Sequence, residues 1–159
     1  MAMRLDMKGR KIRWNWYAWA ALPPDLLYAF LKLRSDIFVV EQNCVFSDMD
    51  GLDAQCEHLC GFDGNGQLLA YLRLLPPGLK HAECSLGRLV TAADARRLGL
   101  AREAMRRGLQ RAAEKHPGHT VRLGGQQYLE GFYASLGFVT AGAPYLEDGI
   151  LHVDMFRKI

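Results

Sequence analysis

The stretch from Glu83 to Leu123 constrains the fold most, because it reads as strand, long helix, strand. Glu83–Thr91 is an apolar strand. The segment after it places Ala101, Ala104, Met105, Gly108, Leu109, Ala112 and Ala113 on one helical face. Gly108 stands inside that pattern as an interruption. Pro117-Gly118 stops the helix, and His119–Leu123 is the return strand. A strand–helix–strand crossover needs a sheet to close against. The preceding sequence supplies one: Glu57–Phe62 and Gln67–Leu75 flank the turn Asp63-Gly64-Asn65-Gly66, a hairpin pattern. Arg13–Leu22 reads as an earlier strand. Asp25–Phe38 has helical spacing in Leu26, Leu27, Phe30, Leu31, Leu33 and Ile37, and Pro23-Pro24 suits its start. Tyr128–Ser135 reads as a short helix, with strands at Gly137–Thr140 and Ile150–Arg157. Hairpins first and a crossover after predict an α+β layer, a mixed twisted sheet with helices on both faces.

Composition narrows the class. The chain has 159 residues, 20 Lys+Arg against 17 Asp+Glu, and half its residues are apolar. Disorder needs low hydrophobicity and high net charge, so it is excluded. The length suits one domain over 1–159, with its core over about 14–157. Arg4 to Arg13 precede the apolar run Trp16–Leu22, which is shorter than a signal segment with its own cleavage site. A cytoplasmic protein off the membrane is the expectation. Its four cysteines, Cys44, Cys56, Cys60 and Cys84, read as small buried thiols. Cys56, His58 and Cys60 alternate along a predicted strand, which sets the two sulfurs about 13 Å apart and too far to share one zinc ion. No metal is expected. Asp48, Asp50 and Asp53 do not follow EF-hand spacing and read as a capped turn shaping a pocket.

Charge is unevenly placed. Asp36–Glu57 holds Asp36, Glu41, Asp48, Asp50, Asp53 and Glu57 with no Lys or Arg, whereas Asp94–Lys115 holds seven basic residues against three acids. Two poles suggest one anionic and one cationic ligand. A nucleic-acid interface is disfavoured, because no aromatics interleave the arginines. Arg96 and Arg97 lie in the turn before the helix, where unpaired backbone N–H groups and the helix dipole favour a phosphate. Gly99 and Ala101 let such a group approach the backbone. Arg73 and Arg88 stand inside apolar strands, and each calls for either a structural acid or a substrate carboxylate.

Arg96-x-x-Gly99-x-Ala101 resembles the R/Q-x-x-G-x-G/A signature of the GNAT acyltransferase superfamily. Phe132-Tyr133-Ala134-Ser135-Leu136-Gly137-Phe138 is similar to its F-Y-x-x-x-G-F block. Leu33–Cys44, Asp48–Asp53 with His58, Gly87-Arg88 and Tyr145–His152 look like the ElaA-like branch. Ala101 replaces the commoner second glycine, and Gln126 stands where many members have Asn.

The resemblance implies a GNAT-like fold whose middle strands splay apart to hold acetyl-CoA. It implies Leu89, Val90 and Thr91 along the pantetheine arm, and Arg96, Arg97, Leu98, Gly99, Leu100, Ala101 and Arg102 around the pyrophosphate, with Gln126 nearby. Gly124-Gly125 would mark where the strand ends at the ligand. An amine would attack the thioester directly. Tyr133 would protonate the leaving thiolate, and His152 or Glu83 would act as base or relay. Phe38, Glu41, Gln42, Arg73 and Arg88 would face the acceptor, a small-molecule or N-terminal amine, with the acidic segment favouring a cationic one. The expected function is acetyl-CoA-dependent N-acetylation. A catalytically weak acyl-CoA-binding regulatory module is the alternative. A monomer and a homodimer fit equally well.

Overall fold

The computed structural model describes residues 3–5 and 9–159. Eight strands form one sheet: β1 (Met3–Leu5), β2 (Lys11–Ala18), β3 (Glu57–Phe62), β4 (Leu68–Leu75), β5 (Cys84–Thr91), β6 (Thr120–Gln126), β7 (Val139–Glu147) and β8 (Ile150–Lys158). Their order is β1-β2-β3-β4-β5-β6-β8-β7. Every neighbouring pair is antiparallel except β5–β6, which the crossover makes parallel. The helices are α1 (Pro24–Arg34), α2 (Leu100–Lys115) and the short α3 (Glu130–Ala134).

β4 explains the layering. Leu69 to Leu75 are all buried, because each face of the strand meets its own core. Leu72 and Leu74 join the cluster beneath α2, while Tyr71 joins Phe30, Cys60, Phe62 and Val90 beneath α1. Successive side chains on a strand point to opposite faces, so adjacent residues serve different helices. Gly108 does not interrupt α2, contrary to the sequence reading. It lies in mid-helix, where a Cβ would sit 2.6 Å from Leu72 Cδ2. Its lack of a side chain sets how closely α2 approaches the sheet.

Two irregularities open the sheet. β5 and β6 pair only at Cys84–Val121 and Ser85–Arg122, then part. In addition, Tyr71 faces Val90 while Arg73 faces Gly87, so β5 carries one residue more than β4 over that span. This is a β-bulge, and Arg88 within it has φ of 53°. The helix expected over Asp25–Phe38 ends as α-helix at Arg34 and continues as a π-helical segment, Ser35–Glu41. The first expected strand stops at Ala18, followed by a 3-10 turn at Trp19–Ala21. β1 had no counterpart in the sequence reading. β7 runs to Glu147 rather than Thr140, with its ladder broken between Ala141 and Tyr145 around Gly142-Ala143-Pro144. No helix among the described residues is long and apolar enough to cross a membrane.

Candidate active site

The gap between β5 and β6 opens into a cavity of about 1150 Å³. A smaller one, about 280 Å³, adjoins it at the start of α2 and shares Thr91, Arg96, Ala101 and Phe132 with it. The small cavity is lined by the turn itself: Arg96, Arg97, Gly99, Leu100, Ala101 and Arg102. Gly99 is the residue before the helix, with φ of 77°, and Arg97 has φ of 61°. No side chain caps this helix, so its first amides remain available to an anion. Leu98 is buried in the core instead and anchors the turn from beneath.

The large cavity brings together Leu89, Val90, Thr91, Gln126, Tyr133 and His152, and also Phe38, Glu41, Gln42, Arg73 and Arg88. Glu83 is not among its lining residues. That carboxylate lies 3.9 Å from Arg122, so the structure does not bring it to the cavity with the other candidates.

Gly124 and Gly125 are not at a strand end, because β6 continues to Gln126. Their role is steric. A Cβ on Gly125 would lie 2.9 Å from Tyr133 Cε2, and one on Gly124 would lie 3.0 Å from the Tyr145 hydroxyl. The two glycines seat two tyrosines on opposite faces of β6. Tyr133 is buried between Phe132 and Phe138, ring centroids 5.2 and 6.3 Å away. Burial pushes its phenol up to about 12.

On the other face, His152 stacks on Tyr145 at 6.0 Å, and its Nδ1 lies 2.8 Å from the Ile150 carbonyl. A carbonyl only accepts, so Nδ1 carries a hydrogen, and in the neutral ring Nε2 is left with the lone pair. Nε2 lies 3.7 Å from Glu147. Tyr145 in turn donates to Asp154 at 2.9 Å, which also receives Arg122. Tyr145 and Glu147 stood in the sequence reading only as part of the Tyr145–His152 block, with no role, and Asp154 escaped it, since Gly142-Ala143-Pro144 hides the strand alternation that would have placed them.

The acidic segment is not a free anionic surface. Each of its six acids has a cationic partner: Asp36 with Lys32, Glu41 with Arg96, Asp48 with Arg34 and Arg88, Asp50 with Arg73, Asp53 with Arg34 and Arg73, and Glu57 with Arg111. The expectation that this segment selects a cationic acceptor is corrected. Arg73 is 1% exposed, and its two terminal nitrogens both serve Asp50 and Asp53, so it acts as a structural cation. Arg73 and Arg34 hold the Asp50 carboxyl and the Asp53 carboxyl, respectively, below the usual carboxylate range against the opposing effect of burial.

His58 belongs to the same buried assembly. Its Nε2 meets the Asp53 carbonyl at 2.9 Å and its Nδ1 the Tyr71 hydroxyl at 2.7 Å, so both ring nitrogens are engaged. Cys56 and Cys60 are free buried thiols.

The description of an acetyltransferase (GNAT) domain matches residues 41–159. The chain belongs to the GNAT family. An acyl-CoA N-acyltransferase from Pseudomonas aeruginosa is 40% identical in its crystal structure, with a TM-score of 0.87 over 92% of this chain and 99% of that one. ElaA of Escherichia coli is 35% identical over 150 residues, covering 93% of this chain and 97% of ElaA. Its crystal structure superposes with a TM-score of 0.86 at 34% identity, over 92% of this chain and 99% of that one. A UPF0039 protein of Synechocystis is 35% identical over 149 residues, 94% of this chain and 97% of that protein. The GNAT fold and the ElaA-like branch are thereby shown, and with them an acyltransferase family that uses acyl-CoA. The residues present fit that co-substrate: an uncapped helix start with a left-handed glycine for phosphates, and a strand gap for an extended arm.

Proposed function

We propose that this GNAT protein transfers an acetyl group from acetyl-CoA to a primary amine by direct attack in a ternary complex. The observation that carries the reading is continuity. The anion-accepting turn at Gly99, the gap between β5 and β6, and the Tyr133 ring adjoin one another around connected space. The pyrophosphate would rest on amides of the Arg97–Arg102 turn, with Arg96 beside it. The pantetheine arm would run along Leu89 to Thr91. The bulge takes Arg88 and Leu89 out of the ladder with β4, and a backbone amide there would polarise the thioester carbonyl as oxyanion holes do.

Attack by the amine forms the amide bond and breaks the carbon–sulfur bond. Tyr133 gives its proton to the departing thiolate. Its phenol, raised by burial, holds that proton throughout the neutral range. His152 takes the proton from the amine at Nε2, and Glu147 steadies the resulting imidazolium. Four free buried cysteines suit a reducing compartment such as the cytoplasm.

Replacing Tyr133 by Phe keeps the ring that Gly125 seats and removes only the proton. Turnover in a thiol-release assay should fall about 100-fold or more, while acetyl-CoA titration by calorimetry stays unchanged. Equal turnover in the two proteins would remove Tyr133 from the mechanism.

A further inference from the structure

The three arginines paired with the Asp48–Asp53 loop are unequally used. Arg34 engages all three of its nitrogens: Nε with Asp48 Oδ2, Nη1 with Asp53 Oδ1, and Nη2 with the Asp48 carbonyl. Arg73 spends both terminal nitrogens on Asp50 and Asp53. Arg88 differs. Its Nε faces Asp48 Oδ1 at 2.9 Å and its Nη2 donates to the Asp48 carbonyl at 2.9 Å. Its Nη1 carries two N–H groups that no described residue accepts, and the side chain lines the cavity with 21% exposure. The Phe46 ring lies 5.8 Å from the guanidinium carbon.

A short roof joins this arginine to the opposite wall. Cys44 Sγ donates to the Asp148 carbonyl at 3.2 Å, and Asp48 holds Arg88. Four residue steps separate Cys44 from Asp48, a span of at most about 14 Å. The cavity therefore has a guanidinium with spare donors on one side and the His152–Glu147 pair, near the tip of the β7–β8 hairpin, on the other. Around Arg88 three arginines face three aspartates, so the network is neutral before any ligand enters.

We infer that the acceptor is a zwitterionic amine, a free amino acid or a close analogue, whose carboxylate pairs with Arg88 Nη1 while its amine faces His152. A zwitterion leaves the neutral network neutral. A bare cation finds every acid of the Asp48–Asp53 loop already paired. A dianionic phosphate would bring two charges to one open nitrogen. Arg88 precedes Leu89, beside the proposed thioester carbonyl, and an α-amino acid needs its carboxylate that close to its reacting nitrogen. This inference rests on the proposed acyl transfer and names its substrate class.

The test uses matched sets: free amino acids with apolar, acidic and basic side chains, their carboxamides, and their decarboxylated amines, each with acetyl-CoA. The wild-type protein should favour free acids over carboxamides by about ten-fold or more in kcat/KM, the worth of a charge-assisted hydrogen bond. Arg88→Gln should bring that ratio near one, chiefly through KM, and Arg88→Lys should restore part of it. Carboxamides used as well as acids by the wild-type protein would overturn the assignment while leaving acyl transfer intact, and that result needs no variant. A ratio unchanged in a folded Arg88→Gln protein would also overturn it. Acetyl-CoA binding without transfer to any amine would overturn the acyl-transfer reading, and this assignment with it.

Discussion

Arg34 and Arg106 each face carboxylates at hydrogen-bonding distance, yet one is fully buried and the other lies on the surface. Arg34 meets Asp48 and Asp53 at 2.8 Å, with side-chain exposures of 0%, 6% and 10%. Arg106 meets Glu103 at 2.9 Å along one face of α2, with Arg106 half exposed. The chemistry is the same and the dielectric is not. Water screens the surface pair and solvates either partner when the other leaves. Inside, each charge has lost its water, so its partner is irreplaceable. The acidic segment thus acts as the counter-charge that lets Arg34 stand in the interior and Arg73 and Arg88 stand beside the cavity.

The largest expected effect breaks the buried side of this comparison. Arg34→Met leaves Asp48 and Asp53 short of charge in the interior and should cost about 3–5 kcal/mol, read as a lowered urea midpoint. A cost below about 1 kcal/mol would mean that water reaches the network.

Acid should act on the same region next. Burial lowers His58 from its ordinary 6.5, and ion pairing lowers Asp50 and Asp53 from 3.8. For all three the native pKa lies below the unfolded one. Their contribution is fully present above the unfolded value and is lost as pH falls toward the native one. Thermal stability should therefore decline gently below pH 6.5 and steeply below pH 4. Asp50→Asn should flatten the steeper limb, and an unchanged limb would assign it to other carboxylates.

The smallest effect belongs to the surface. Arg106→Ala should change stability by about 1 kcal/mol or less, and high salt should erase even that. A larger loss would show that the Glu103 cluster is more than a solvated row.

β3 spans Glu57–Phe62, as its alternating pattern predicts, and α2 follows its apolar face because both signals are local. The turn at Gly99 was legible for the same reason: a small-residue turn before a helix is written within a dozen positions. Other features were not. The bulge at Arg88 leaves no mark in an apolar strand. Gly108, Gly124 and Gly125 look like breaks in a string of letters, whereas each is a place where another residue must come close. The charge poles were visible, but the meaning of the acidic one was inverted, since that segment does not show its partners.

The sequence by itself determined most of the elements, their order, the small-residue turn before α2 and the family, because periodicity, turn residues and motif spacing act over short range. Only the tertiary structure decided that Arg73 is structural while Arg88 keeps free donors. It likewise placed Tyr133 on Gly125 and His152 beside Glu147. Those outcomes depend on contacts such as Arg88 with Asp48 or Cys44 with Asp148, which lie 40 and 104 positions apart. The identity of a buried charge's partner, and whether a donor remains unspent, exist only once the chain has brought such distant residues together.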